Sequence, residues 1–520
     1  MRENMTFREM LGQRLFINVL GTEITPELRR LVKEYKCGNI VLFQPNIVSI
    51  EQTRRFCREF QALVTEELGI PALIAIDQEG GGVTRLSEDF VNVPGAMALA
   101  AVGEPEEAYR ASVLTARELR AVGVNFNLAP VVDVCNNPDN PVIGVRCWGE
   151  TCEQVSAFAV KAFQGLEDNR IGAVAKHFPG HGDTHTDSHL ALPTIDKSME
   201  ELEKLELRPF EALIEAGCPA IMTAHIVYPQ IEKRLIPATM SRLFLTELLR
   251  GKLGFEGLIL TDSLEMNAIR KEYGAGPGAV ASIQAGCDML LTGCGADIII
   301  EEIEAIEAAA ARGEIDMDEM AASLRRIQRC KDQYCLPPEG EAGDAAAQKQ
   351  SNELRRRSIC LFTGEIPPLG AHPLFVGPKD YRLALVANEV GQEEPFPAYM
   401  AERFGGESIT TGNIVSDEEL ARAVEAVAGA SVVVANLYNA HVFRQQLRLF
   451  EAVRDEAQRR GVPVVAVCLR DPSDLEYTRG CAARLAAWDY SRMTLEILTE
   501  VLSGTLVPTG KLPVTVRNEE

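Results

Sequence analysis

The chain has no C-x-x-C pair, although it carries 13 cysteines, an odd number. They are scattered, with Cys37, Cys57, Cys135, Cys147 and Cys152 the first five. Such spacing argues against a disulfide framework or a zinc ribbon, and suits small buried thiols kept reduced. No run of about 18 uninterrupted apolar residues occurs, so no membrane-spanning helix is expected. The opening MRENMTFREMLGQRLFINVLG is broken by charges every few residues and forms no signal-peptide core. The expected compartment is therefore the cytoplasm. Positive charge is in short supply: 52 Lys and Arg face 75 Asp and Glu, a formal net charge of -23, and the sequence pI is about 4.9. That balance repels phosphate backbones and anionic lipid, so neither nucleic acid nor a membrane surface is expected as a partner. No G-x-G-x-x-G leads from a strand into a helix, which weakens a dinucleotide-binding sheet. No H-E-x-x-H is present. Composition is otherwise that of a globular protein, 46% apolar and 24% charged, and 520 residues suggest two domains.

What is present begins with a rhythm. Eight short apolar runs alternate with amphipathic stretches: RLFINVLG (14–21), NIVLFQ (39–44), ALIAIDQ (72–78), NFNLAPVVDV (125–134), GAVAKHF (172–178), AIMTAHI (220–226), GLILTDS (257–263) and DMLLTG (288–293). Helical spacing fills the intervals, as at 103–122, 151–169, 198–216 and 239–252. Strand–helix alternation implies a parallel sheet, and near-continuous apolar strands imply burial on both faces. Eight units in about 300 residues fit an α/β (β/α)8 TIM-type barrel; an open doubly wound sheet is the alternative. Helical patterns at 298–312 and 316–334 follow, so the barrel is expected over 1–336. PPEGEAGDAAAQKQSNE (337–353) reads as a polar linker. From 354 to 520, runs at 359–362, 383–388, 431–438 and 462–470 alternate with helical patterns at 416–428, 442–460 and 490–503, a smaller α/β sandwich domain.

In such a barrel the chemistry sits at the C-terminal ends of the strands. Polar groups gather there: Asp77 and Glu79 with Arg85 after strand three, Asp133 and then Arg146 after strand four, Lys176 and His177 on strand five, His225 on strand six and Asp262 on strand seven. One such residue is most simply a satisfied structural group. Charged or imidazole groups at five strand ends are harder to dismiss, because buried charge is costly unless used or paired. Asp288, at the start of strand eight, falls on the opposite face and reads as structural.

The densest feature is KHFPGHGDTHTDSH (176–189), a loop after strand five stiffened by Pro179-Gly180 and holding four of the seven histidines. His181, His185 and His189 copy the i, i+4 spacing of zinc ligands on a helix, but Gly180 and Gly182 oppose that helix, and no metal is expected. Asp187 and His189 offer a second chemistry: a carboxylate that fixes one imidazole nitrogen and leaves the other to move a proton. Spacing alone fits equally well with Asp187 capping a following helix and His189 exposed. Asp262 emerges from an apolar strand, where a carboxylate can attack an electrophilic sugar carbon.

Here the chain resembles a known family. KHFPGHGDTHTDSH is similar to the loop signature of the β-N-acetylhexosaminidase branch of glycoside hydrolase family 3. The resemblance extends through IDQEGGGVTR (76–85), NPVIGVRCWG (140–149), MTAHIVYP (222–229) and LTDSLEM (260–266), and PTGKLPVTV (508–516) looks like the close of that family's second domain. It implies Asp262 as nucleophile and His189 as acid/base, polarised by Asp187. Asp77, Arg85, Arg146, Lys176 and His177 would hold the sugar, with His225 and Asp133 lining the same pocket. Cys147-Trp148 replaces the more usual Ser-Phe after the arginine. The implied activity is retaining hydrolysis that frees terminal β-linked GlcNAc from cell-wall or chitin-like saccharides through a glycosyl-aspartate, with no cofactor. A GlcNAc-containing oligosaccharide or muropeptide would be the partner, in peptidoglycan recycling. A β-N-acetylglucosaminide phosphorylase could use the same residues; a β-glucosidase is the other alternative, opposed by the DTHTDSH segment. Oligomeric state is left open.

Overall fold

The computed structural model describes residues 5–184, 192–379 and 394–517. Eight parallel strands close a barrel: β1 Leu15–Asn18, β2 Asn39–Leu42, β3 Leu73–Ile76, β4 Phe126–Asn127, β5 Gly172–Phe178, β6 Ala220–Thr223, β7 Leu258–Ser263 and β8 Met289–Cys294. β1 pairs with both β2 and β8, which leaves no edge. The eight apolar runs therefore fall on the eight strands, and their burial on both faces explains why they read as continuous rather than alternating. Strand four is the shortest. Its regular pairing stops after Asn127, where the chain runs into the cis Ala129-Pro130 bond, and resumes as a single bridge from Val131 to Lys176.

The crossover helices begin where local chemistry allows. Pro105 opens Pro105–Val122, and the Thr151 hydroxyl accepts from Gln154 N to start Cys152–Glu167. The pattern at 198–216 is two helices, Met199–Lys204 and Leu207–Glu215. Pro209 has no N–H to give the Leu205 carbonyl, so a single helix cannot run through. The stretch read as a linker carries helix Ala345–Ser358, begun by the Asp344 side chain at Ala347 N and tied to the barrel by Ser351 Oγ donating to Asn92 O at 2.8 Å. Its Ala/Gln/Lys content suits a helix even though its flanks look like a linker.

The second domain is a six-stranded sheet in the order β11-β10-β12-β13-β14-β9, with β9 Cys360–Gly364, β10 Pro373–Pro378, β11 Glu407–Thr411, β12 Val432–Leu437, β13 Val464–Cys468 and β14 Ala483–Ala486. Only β9 is antiparallel among these pairings. Three of these strands, β10, β11 and β14, escape a reading of apolar runs because Pro, Gly, Ser, Thr or Arg interrupts them. The run at 383–388 lies outside the described residues. One apolar cluster spans both domains: Met97, Val142, Ile143 and Cys147 of the barrel pack with Ala440, Leu475 and Trp488 of the second domain.

Candidate active site

Asp288 marks the face that is not the site. Its Oδ1 accepts from Ser323 Oγ at 2.7 Å and Arg326 Nη1 at 2.9 Å, and its Oδ2 accepts from Ile259 N at 2.8 Å and from Arg250. All of these lie at the N-terminal end of the strands, so this carboxylate staples the barrel floor, as its register implied.

At the opposite end, the polar groups are joined into one buried constellation. Lys176, 2% exposed, sets its ammonium 2.6 Å from Asp77 Oδ1 and 2.7 Å from Glu79 Oε1. Arg146 grips Glu79 with two parallel bonds, Nε to Oε2 and Nη2 to Oε1, both 2.8 Å. Arg85 Nη2 stands 3.8 Å from Asp77 Oδ2. Two carboxylates thus face three cations in a largely buried space. Burial pulls the Lys176 ammonium toward neutrality, but Asp77 and Glu79 hold it above its ordinary range. Burial likewise pushes the Glu79 carboxyl up, and Arg146 and Lys176 overcome this and hold it well below the usual carboxylate range. Burial lowers Arg85. By formal count the group holds one more cation than carboxylates.

Glu79 is the member that sequence reasoning passed over. It was visible among the strand-end polar groups, but nothing in IDQEGGGVTR separated a carboxylate that organises cations from one that contacts a ligand. The backbone around it is held by Gln78, whose N–H donates to Asn127 Oδ1 at 3.0 Å and whose Oε1 accepts from Arg85 N at 2.9 Å.

A second pair stands on β5 and the loop after β4. His177 Nδ1 lies 2.8 Å from Asp133 Oδ2, while Asp133 Oδ1 accepts from His181 N at 2.7 Å. This fixes Nε2 of His177 as the nitrogen not engaged with Asp133. Burial raises the Asp133 carboxyl, and His177 and His181 more than reverse it. His181 itself is pulled down to about 4, by burial and by the neighbouring His177; its Nδ1 lies 3.0 Å from Thr184 Oγ1. Gly182 is required there, because a Cβ would sit 1.7 Å from the Val134 carbonyl oxygen. The Lys176–His177 and Phe178–Pro179 bonds are both cis.

Asp262 is next to last on β7, two strands on from β5. Its Oδ1 accepts from Ser263 N at 2.7 Å, and the residue is only partly buried. His225 at the end of β6 donates from Nε2 to the Ser263 carbonyl at 3.0 Å, with Nδ1 2.9 Å from Thr239 Oγ1. That bond ties the ends of β6 and β7 together beside Asp262. Asp187, His189 and His185 lie outside the described residues, which stop at Thr184 on this loop. Among the described residues no group of three or more His, Cys, Asp and Glu is disposed to hold a metal ion.

The structure therefore brings Asp77, Arg85, Arg146 and Lys176 into one network, Asp133 and His177 into another, and His225 beside Asp262, all at the C-terminal mouth. Buried, hydrogen-bonded donors and acceptors beside a partly buried strand-end carboxylate suit a hydroxyl-rich ligand and attack on it.

Known proteins resemble the chain in sequence and in fold. Beta-hexosaminidase A of Pseudoalteromonas piscicida is 32% identical over 365 residues, covering 63% of this chain and 61% of that protein. A beta-hexosaminidase of Alkalilimnicola ehrlichii is 39% identical over 291 residues, 54% of this chain and 81% of its own. Among solved structures, a glycoside hydrolase family 3 beta-N-acetylglucosaminidase from Paenibacillus sp. FPU-7 superposes with a TM-score of 0.91 at 34% identity, covering 99% of both chains. The family model for the glycosyl hydrolase family 3 N-terminal domain matches residues 6–330, the whole barrel with its mouth, and the chain belongs to glycosyl hydrolase family 3, as a glycoside hydrolase.

Proposed function

We propose that the chain is a retaining β-N-acetylhexosaminidase that frees terminal β-linked GlcNAc. The observation that carries this is Asp262, a partly buried residue whose carboxylate accepts from Ser263 N at the same mouth as the Lys176–Asp77–Glu79–Arg146 network. The names of the relatives support the sugar. In this reading Asp262 Oδ attacks the anomeric carbon as the glycosidic C–O bond breaks, and His189, polarised by Asp187, gives its proton to the departing oxygen. His189, now neutral, takes a proton from water as that water attacks the glycosyl-aspartate and frees Asp262. Asp77, Arg85, Arg146, Lys176 and His177 hold the sugar, with Asp133 and His225 behind them. An imidazole acid/base has a physical merit: once neutral it does not repel an anionic aglycone or acceptor as a second carboxylate would. GlcNAc-terminated cell-wall fragments or chitin-like saccharides are the substrates in this reading, with cytoplasmic peptidoglycan recycling as the setting; fractionating cells that express the chain tests the compartment.

The experiment compares p-nitrophenyl β-GlcNAc with the β-glucoside, each with and without inorganic phosphate. The expected result is turnover of the GlcNAc compound unaffected by phosphate. Preference for the glucoside overturns the reading, and a sugar phosphate product reassigns the acceptor. His189→Ala should lower kcat on a poor leaving group by about 10²–10⁴-fold; undiminished turnover removes His189 from the acid role.

A further inference from the structure

We propose that Asn140 is a positioning residue that couples the seating of the second domain to the sugar pocket. The loop after β4 is held from two sides. On one side, Val142, Ile143, Val145 and Cys147 are buried in the apolar cluster that they share with Ala440, Leu475 and Trp488 of the second domain. The approach is close: Asp471 Oδ2, the tip of a second-domain side chain, lies 2.8 Å from where a Cβ on Gly144 would stand, and the φ of +42° at Gly144 favours glycine. On the other side, the same loop reaches the turn His181–Thr184. Asn140 makes both connections with one amide. Its Oδ1 accepts from Val142 N and Ile143 N, each at 2.9 Å. Its Nδ2 donates to His181 O at 2.8 Å and Gly182 O at 2.9 Å, with Thr184 Oγ1 at 3.2 Å. Asn137 adds a bond from Nδ2 to Thr184 O at 3.3 Å.

From His181 the path is short. Its N–H donates to Asp133 Oδ1 at 2.7 Å, and Asp133 Oδ2 fixes His177 Nδ1 at 2.8 Å. A shift of the second domain displaces Val142 and Ile143, turns the Asn140 amide and moves the backbone that orients Asp133 and His177. Asn140 is buried at 3% exposure, so water does not substitute for its bonds. The coupling concerns the sugar-holding residues, and in that respect it rests on the reading of the pocket given above.

Two variants of the full chain test it. Asn140→Asp keeps the acceptor for Val142 and Ile143 but removes the donors and sets a carboxylate against two carbonyls. Ile143→Ala loosens the domain-facing side and leaves Asn140 intact. With p-nitrophenyl β-GlcNAc, Asn140→Asp should raise KM by about tenfold, the scale of losing one or two buried hydrogen bonds, and Ile143→Ala should raise it in the same direction by at least about threefold, with kcat changed by less than about threefold in both. A merely structural role would lower the active fraction and leave KM alone. Hydrogen exchange followed by mass spectrometry gives a readout that needs no turnover: peptides within 172–184 should exchange at least tenfold faster in both variants, while peptides from β1 and β2 do not change. Unchanged exchange and KM in Asn140→Asp overturns the proposal. A change in Asn140→Asp but not in Ile143→Ala overturns the coupling to the second domain. If the wild-type chain turns over no GlcNAc compound, the functional reading fails, and the exchange data still decide the role of Asn140.

Discussion

At the scale of single residues, the site is a matter of shared partners. Glu79 receives three hydrogen bonds from two cations, and Lys176 divides its charge between two carboxylates. Glu79→Gln should therefore be severe: it strands Arg146 and leaves Lys176 with Asp77 alone. We expect a loss of about 3–5 kcal/mol of stability, the cost of breaking a buried ion pair, read as a lower denaturant midpoint. Asp262→Asn should fold normally, because the amide oxygen still accepts from Ser263 N, and should lose at least about 10³-fold in kcat, since no covalent intermediate can form. These two substitutions separate the roles that sequence could not. The strand-end positions of Asp77, Lys176, His177 and Asp262 were legible, because continuous apolar runs mark the strands and the barrel rule puts their C-terminal ends at one mouth. The pairings were not: Lys176 with Glu79, or Asn140 with His181, are contacts between residues 97 and 41 positions apart, and spacing carries no information about them.

At the scale of elements, loops rather than strands decide the outcome. The barrel strands could be read from hydrophobic runs because burial on both faces leaves an uninterrupted signal. The strands β10, β11 and β14 could not, since edge placement or turn residues break the run. One loop junction makes a pH prediction. His441, after β12, sets Nδ1 2.8 Å from Asp474 Oδ1, on the short helix Pro472–Tyr477. Burial works against the imidazolium, but Asp474, Asp471 and Asp139 outweigh it and raise its pKa from 6.5 to about 9. The charged form is thus the one the fold favours. Its contribution is fully present below about pH 6.5, where the imidazole is protonated in both states, and is lost as pH rises through about 9. Stability, followed by denaturant unfolding from pH 6 to 10, should fall across that window by an amount on the order of 1–3 kcal/mol. His441→Gln should flatten that part of the curve; an unchanged slope would show that another group carries it.

At the scale of the molecule, the two domains share an apolar cluster, and the stretch and helix that join them are tied to the barrel by polar contacts. Arg357 reaches Glu107 at 2.7 Å, Ser351 reaches Asn92 O, and Gly343 N donates to Glu118 at 2.9 Å. A barrel cut at residue 336 would expose Met97, Val142, Ile143 and Cys147 and leave the Glu118 and Glu107 carboxylates without these partners. We expect that fragment to melt lower than the full chain and to bind a hydrophobic dye, measured by calorimetry and fluorescence; a fragment as stable as the whole would mean the interface is incidental. The charged network at the mouth has a consequence of another kind, for how the pocket can change over time. Every member lies within 4 Å of at least one oppositely charged partner, so a single charge substitution removes a buried neighbour's counter-charge. Neighbouring sequence space is then mostly closed to one-step changes, and a new sugar preference is reached more readily from the loops around the network than from within it.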